Sequence, residues 1–334
     1  MKNSFNNSNI ELNNDLFEHF RFIIPEGQSL IRIDKYLKDK IQNATRHKVQ
    51  QGIEKEYVLV NGLPVKVHYR VKPHDIITIN LPEEVKDKTH YPENIDLDIL
   101  YEDEYLVVVN KAAGMVVHPT FNNYEGTLFN ALLFHFEHQG IKEKPFIVHR
   151  IDKETSGILV VAKTQEVAKE LSTQFIYHTL TRTYYALVWG VFEEEDKKGT
   201  IRTFLDRSKQ DRKLIQVYKN QGKEAITKYE IIEEYGKYLS LVKCNLETGR
   251  MHQIRVHMSY IGHPIFNDYF YGGSIIPKDF LEDIDAFVFD ILSRQALHSK
   301  DITFYHPILK KNIFVDSELP SDFKKLIKYF TINY

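Results

Sequence analysis

Short β-branched apolar runs dominate the chain, and apolar residues at helical spacing occur in only a few places. Phe20-Arg21-Phe22-Ile23-Ile24, Tyr57-Val58-Leu59-Val60, Val65 to Val71 and Ile76-Ile77-Thr78-Ile79 predict strands within the first eighty residues. Ile33, Tyr36 and Leu37 follow i, i+3, i+4 spacing, which predicts a short helix starting near Arg32. Thr45 is placed to cap a second helix from Arg46 to about Gln51, with Gly52 ending it. Asn61-Gly62 is a hairpin turn signal. Residues 1–18 are Asn-rich and aperiodic, which predicts a tail. A folded unit is therefore expected over 19–82, and the polar, Pro-containing stretch over 83–96 reads as a linker.

The remainder, 97–334, predicts a second unit. Leu97 to Tyr101, Tyr105 to Lys111, Phe146-Ile147-Val148 and Ile158 to Ala162 are strand-like. Leu128 to about Phe136 is apolar enough for a core helix. Gln165 to Tyr177 places Val167, Ala168, Leu171, Phe175 and Ile176 on one side of a helix capped by Thr164. Arg182 to Gly190 alternates as a strand, with Tyr184, Ala186 and Val188 on one face. Residues 193–224 are charged and predict a strand-poor excursion, whereas 226–235 and 238–247 predict two strands of a meander.

Composition adds limits. A chain of 334 residues suits two domains. No apolar run approaches the ~20 residues that span a bilayer, so no membrane association is expected. The first residues lack the apolar core of a secretory signal. The single cysteine, Cys244, forms no internal disulfide, which suits the cytoplasm. The fifteen His are scattered and no Cys/His cluster has zinc spacing, so no metal is expected. The net charge of −2 argues weakly against nucleic acid. Residues 26–80, however, carry ten Lys and Arg against six carboxylates, a local +4, with several cations on the two predicted helices. A basic helical face suits phosphate contacts.

One stretch concentrates candidate chemistry. His149-Arg150-Ile151-Asp152-Lys153-Glu154-Thr155-Ser156-Gly157 lies between two predicted core strands. A loop carrying two cations, two carboxylates and two hydroxyls between such strands is held rigidly, as catalytic groups need. A loop Asp taken alone is more often a turn residue bonding its own backbone. Three further polar blocks follow: the Tyr184 strand, Glu247-Thr248-Gly249-Arg250 through His257, and Arg294-Gln295-Ala296-Leu297-His298-Ser299.

The first unit resembles the S4 RNA-binding domain. Its matching features are Arg32-Ile33-Asp34-Lys35-Tyr36-Leu37, Thr45-Arg46, Val60-Asn61-Gly62 and Val71-Lys72-Pro73-His74-Asp75. His74 stands where that family usually has Gly, and Thr45 where it has Ser. From about Phe20 onward the chain resembles pseudouridine synthases of the RluA family, through His149-Arg150-Ile151-Asp152 with Thr155-Ser156-Gly157 and the three later blocks in order. Asn267-Asp268 replaces the family's usual Gly-Asp. The resemblance implies an α+β fold: a small S4-like α/β module, then a mixed, mostly antiparallel sheet with flanking helices.

It also implies isomerisation of uridine to pseudouridine in RNA, without a cofactor, since nothing is oxidised or hydrolysed. Asp152 would act at the sugar, either attacking C1′ or removing the 2′ proton. By resemblance Arg255 is its counter-cation, Tyr184 stacks on the flipped uracil and can move a proton, and Arg150 fills or holds the gap left by the flipped base. His149 and Arg250 are expected to join in substrate binding, and Arg32, Lys35, Arg46 and Lys48 to bind RNA from the S4-like unit. The expected target is large-subunit ribosomal RNA, with transfer RNA as the alternative, and the expected state is a monomer. Two rival readings are a non-catalytic RNA-binding or RNA-folding factor and a hydrolase using Ser156. The latter lacks the small-residue elbow that such a nucleophile needs.

Overall fold

The structure, a computed structural model, describes residues 16–41, 44–81, 91–120 and 123–334. The chain divides into two compact units, Met1–Thr89 and His90–Tyr334. Residues 1–15 of the expected tail lie outside the described residues, whereas Phe17 and Glu18 already belong to a strand.

The first unit runs β1 (Phe17–Ile23), α1 (Ile33–Lys40), α2 (Arg46–Glu54), β2 (Val58–Val60), β3 (Leu63–Pro64) and β4 (Ile76–Leu81). Its antiparallel sheet has the order β1-β4-β2-β3. Ile33 and Leu37 of α1, with Val49 and Ile53 of α2, share one core with Val58, Val60 and Ile77 of the sheet. Thr45 caps α2 as expected, accepting the Lys48 N–H at 3.3 Å. The helix does not stop at Gly52 but continues to Glu54. Ile53 explains this: burying its side chain is worth about 2 kcal/mol, more than the roughly 1 kcal/mol a helical Gly costs.

The expected strand over Val65 to Val71 is absent among the described residues, apart from an isolated bridge between Arg32 and Arg70. Val65, Val67, Tyr69 and Val71 do lean on the core at alternate positions. Period-two alternation reports which side chains are buried, and among the described residues no strand pairs with this stretch. His74 takes a φ of +68°, so the turn normally made by glycine is kept at the cost of a left-handed non-Gly residue.

The second unit runs β5 (Ile99–Glu102), β6 (Leu106–Lys111), α3 (Leu128–His138), β7 (Phe146–Ile147), β8 (Ser156–Ala162), α4 (Gln165–Tyr177), β9 (Thr181–Trp189), β10 (Lys198–Arg207), β11 (Ile215–Tyr218), β12 (Lys223–Tyr235), β13 (Leu239–Leu246), α5 (Gln253–Tyr260), α6 (Val288–Ile291), β14 (Leu297–Tyr305), β15 (Asn312–Asp316) and α7 (Ser321–Asn333). Among the described residues its strands form one sheet in the order β11-β10-β12-β13-β9-β14-β8-β6-β5, with β15 on β14 and β7 on β8. Every pairing is antiparallel except β14 with β8. This is the mixed, mostly antiparallel sheet that was expected.

Alternate residues of β6 and β8 enter two separate cores. Val107, Val109, Leu159 and Val161 join the larger one with α3, α5 and α7. Leu106, Val108, Ile158, Val160 and Ala162 join the smaller one with α4. All seven residues of β8 are buried, so the sequence just before it starts from a fixed point.

Two expectations need correction, and one element was unforeseen. The excursion over 193–224 contains β10, β11 and the start of β12. Ile201, Thr203 and Leu205 alternate inward along β10, but an inward Thr and an outward Phe204 break the apolar–polar pattern. Residues from Tyr91 onward are tied to the second unit rather than linking to it: the Asn130 side chain donates to the Tyr91 carbonyl at 2.8 Å, and Glu93 accepts the Gly126 N–H at 3.0 Å. The helix α7 had no counterpart in the sequence reading, although Phe323, Leu326 and Phe330 are buried at helical spacing.

The parallel pairing of His298 with Ser156 and Ser299 with Gly157 fixes the site-bearing loop to β14. Gly157 has a φ of +109°, and a Cβ there would lie 2.2 Å from the Ser299 carbonyl oxygen. Gly157→Ala is therefore expected to cost at least about 3 kcal/mol. The urea midpoint of unfolding checks this, and an unchanged midpoint would show that the two strands can part without cost.

Candidate active site

Asp152 opens a tight turn in which its carbonyl accepts the Thr155 N–H at 3.1 Å. Two sets of groups clamp this turn. Lys111, the last residue of β6 and 1% exposed, donates its ammonium to the carbonyls of Ala112, Met115 and Lys153 at 2.7, 2.9 and 3.0 Å. Burial pushes its pKa down to about 7. From the other side, Gln295 Nε2 donates to Thr155 Oγ1 at 2.8 Å and Arg294 Nη1 donates to the Glu154 carbonyl at 3.2 Å. Arg294 is itself held by Asp322 of α7 at 2.8 and 3.1 Å, and Ser156 Oγ lies 2.9 Å from His298 Nδ1. The Arg294–Ser299 block thus supports the loop from behind.

Arg255 comes to this loop from α5. Its Nη1 donates to Asp152 Oδ2 at 2.9 Å, while Nε and Nη2 form a fork on Asp268 at 2.7 and 2.9 Å. Burial alone would lower the pKa of this guanidinium, but Asp268 and then Asp152 outweigh it and hold the group above the ordinary arginine value. Its carbon also sits 5.0 Å from the centre of the Tyr271 ring and 5.8 Å from that of Phe270. Asp268 is 1% exposed and follows Asn267, whose φ of +54° makes the turn in place of glycine.

The helix α5 is rich in polar residues because its buried groups find partners. Gln253 accepts from Thr248 Oγ1 and the Arg250 N–H at 2.8 and 3.0 Å, and donates to the Ile226 carbonyl and Thr227 Oγ1 at 3.0 and 2.9 Å. His257 sits between the hydroxyls of Thr203 and Thr227, 2.8 Å from each. His252 Nδ1 lies 2.7 Å from Tyr271 Oη, which also accepts the Ile215 N–H. His252 Nε2 faces Asp152 at 3.9 Å.

A cavity of about 680 Å³ opens over this arrangement. Asp152, Tyr184, Arg255, Arg150, His149 and Arg250 all line it, so the structure brings together every site residue expected from the second unit. Asp152 stays reachable, with 21% of its side chain exposed. Tyr184 is buried on β9, and its hydroxyl makes no hydrogen bond among the described residues. Arg150 is exposed and has no ion pair among them. Arg250 is exposed and its Nε donates to the Glu224 carbonyl at 3.0 Å.

His149, expected to join in substrate binding, lines the cavity as a buried ring. Its Nε2 accepts the Val160 N–H at 2.9 Å, its ring stacks on Phe175 at 4.5 Å, and burial followed by the charge of Arg182 depresses its pKa to about 3. It is a neutral wall residue that secures β8.

The four cations expected in the first unit form a second group. Arg32 and Arg46 both grip Asp34, which is fully buried, at 3.0 and 2.8 Å, and Gln50 adds a bond at 2.8 Å. Burial would raise the Asp34 pKa, but these donors override it and bring it to about 2. Part of each guanidinium is therefore committed to Asp34, and Arg46 with Gln50 thereby joins α2 to α1. Lys35 and Lys48 are exposed.

Sequence reasoning missed Lys111, Asp268 and the Arg294–Asp322 pair. Asp268 had a signal, since it follows the substituted glycine position. A lysine ending an apolar strand gives none.

Residues 105–260 match the family model described as RNA pseudouridylate synthase, and residues 31–77 match that of the S4 domain. An uncharacterized RNA pseudouridine synthase of Chlorobaculum parvum is 41% identical over 91% of this chain and 95% of its own length. The ribosomal large subunit pseudouridine synthase D of Zymomonas mobilis is 40% identical over 90% and 94%. The chain belongs to the RNA pseudouridine synthase family. Among solved structures, human RNA pseudouridylate synthase domain containing 1 superposes with a TM-score of 0.53 at 26% identity, over 68% of this chain and 85% of that one. As a pseudouridine synthase the protein is an isomerase, converting uridine to pseudouridine in RNA.

The fork from Asp268 sets where Arg255 Nη1 points. Asp268→Asn is expected to lower stability by about 3 kcal/mol, as for a broken buried pair. It should also cut kcat by roughly one to two powers of ten through misplacement of Arg255. Turnover assays on an RNA substrate together with urea melts check both, and wild-type values in both would remove Asp268 from the site.

Proposed function

We propose that this synthase modifies uridines of large-subunit ribosomal RNA in the cytoplasm, with Asp152 as the catalytic carboxylate. The observation that carries the reading is the 2.9 Å contact between Asp152 and Arg255 on the wall of a cavity of about 680 Å³. The reaction breaks N1–C1′, turns the base and joins C5 to C1′, and the proton on C5 is finally replaced on N1. Asp152, exposed to the cavity and backed by a fixed cation, serves the sugar. Both routes, attack on C1′ and abstraction of the 2′ proton, use the same carboxylate position. Tyr184 offers its ring to the extruded uracil and its unengaged hydroxyl to a proton transfer. Arg150, exposed at the same cavity, is positioned to occupy the space the base leaves.

The choice of ribosomal RNA is supported by the relative from Zymomonas mobilis, whose name specifies that substrate. The S4-like unit supports it too, because Lys35 and Lys48 leave charge available for phosphates. Transfer RNA is the second reading. Mapping pseudouridines by carbodiimide primer extension in a strain lacking the gene separates the two, since sites vanish from the true target alone.

Asp152→Ala is expected to reduce product formation by at least about 10⁴-fold while RNA affinity changes little. Turnover near the wild-type rate would sink the assignment. Lys35→Ala with Lys48→Ala is expected to weaken RNA binding and to flatten the slope of log K against log salt by about 1 to 2. An unchanged slope would take these lysines out of the RNA contact.

A further inference from the structure

One cation on the cavity wall has no part in the scheme above. Arg182 lies on β9 two residues before Tyr184 and is 8% exposed. Its Nε is sealed from solvent without a hydrogen-bond partner. Among the described residues its guanidinium makes no ion pair and no hydrogen bond. Nη1 and Nη2 lie 3.2 and 3.4 Å from the position a Cβ on Gly249 would take, so they face the Gly249 part of the cavity. The guanidinium carbon sits 5.3 Å from the centre of the Phe175 ring. A ring face attracts a cation but does not satisfy a fork of N–H donors.

The same Phe175 ring stacks with His149. Because His149 Nε2 accepts the Val160 N–H, its ring proton is on Nδ1, and that donor too is buried without a partner. Among the described residues no carboxylate pairs with either of them. Glu247 is paired with Lys228 at 2.5 Å, and Asp152 with Arg255 at 2.9 Å. An arginine cannot shed its charge, and a buried charge without a counter-ion is costly. The missing acceptor must come from what enters the cavity. Arg150 and Arg250, exposed on the same cavity, make that visitor an anion.

We propose that the Arg182 guanidinium binds a phosphodiester of the RNA strand that carries the target uridine, at a place kept open by the absence of a side chain on Gly249. The proposal rests on RNA as substrate, whichever RNA it is. It makes Arg182 a binding residue that fixes the sugar–phosphate backbone while the base turns over Asp152. Arg is suited to this because its planar fork matches two phosphate oxygens.

The test is a coupling cycle between Arg182→Gln and RNA oligonucleotides bearing one neutral methylphosphonate at each linkage around the modified uridine. The oligonucleotide is cut from a transcript that the wild-type protein modifies, so failure of the ribosomal assignment changes its sequence but not the test. At one linkage the neutral group is expected to weaken wild-type binding about tenfold, and Arg182→Gln to do the same with the unmodified RNA. Together they should cost little more than either alone, and the salt slope of the variant should fall by about 0.7 to 1. Full additivity at every linkage would overturn the phosphate contact and assign the guanidinium to the uracil carbonyls or to the fold. If Arg182→Gln does not fold, Arg182→Met takes its place in the cycle. It fills similar space without the charge or the fork, and additivity there overturns the proposal equally.

Discussion

A single guanidinium, shared between a buried carboxylate and a reactive one, is the constraint on which the site depends. Arg255 gives a two-bond fork to Asp268 and one bond to Asp152. The fork fixes the plane of the group, and the plane fixes where the remaining N–H points. Asp268, almost sealed, could not remain buried without the cation. Arg255 in turn needs both carboxylates to offset its own burial. The rest of α5 follows the same rule, since Gln253 and His257 are buried only because Thr203, Thr227, Thr248 and the β12 backbone meet their polar atoms.

Bringing Asp152 to that guanidinium takes a sheet. The two residues are 103 positions apart in sequence. The Asp152 loop is anchored by the fully buried β8, and β8 runs parallel to β14, which also pairs with the Tyr184 strand. Gly157 allows the close approach, and the Arg294–Ser299 block turns the beginning of β14 into a support for the loop. The geometry of the site is therefore built on strand order, which carries the Asp152 loop to its place.

Much of this was legible in the sequence where one force acted alone. The bounds of α4 follow from its apolar stripe and Thr164, and the two expected meander strands fall within a few residues of β12 and β13. Legibility failed where two demands overlapped. In β10 the inward residues include the polar Thr203 and the outward ones the aromatic Phe204, so composition obscured the period. Over Val65 to Val71 the alternation was real but no partner strand exists among the described residues. At the site, Asp152 and Arg255 were nameable only through family resemblance, because no local pattern couples residues so far apart. Asn267 and His74 show why a glycine-shaped turn survives without glycine: both hold positive φ, Asn being among the residue types that tolerate it best.

Lys111 shows how stability and positioning can pull apart in one side chain. Its pKa is lowered to about 7 by burial, so from there up to its unfolded value near 10.5 the unfolded chain holds a proton that the native chain does not. In that window rising pH favours the folded state, and the burial penalty is fully present only below about 7. Yet the charged form is the one that serves the site. An ammonium has three N–H donors, matching the carbonyls of Ala112, Met115 and Lys153, whereas the neutral amine has two. Losing the proton releases one anchor in a network that ends on the residue next to Asp152. The fold thus tolerates a buried charge that costs stability at neutral pH because the loop it holds carries the reacting carboxylate.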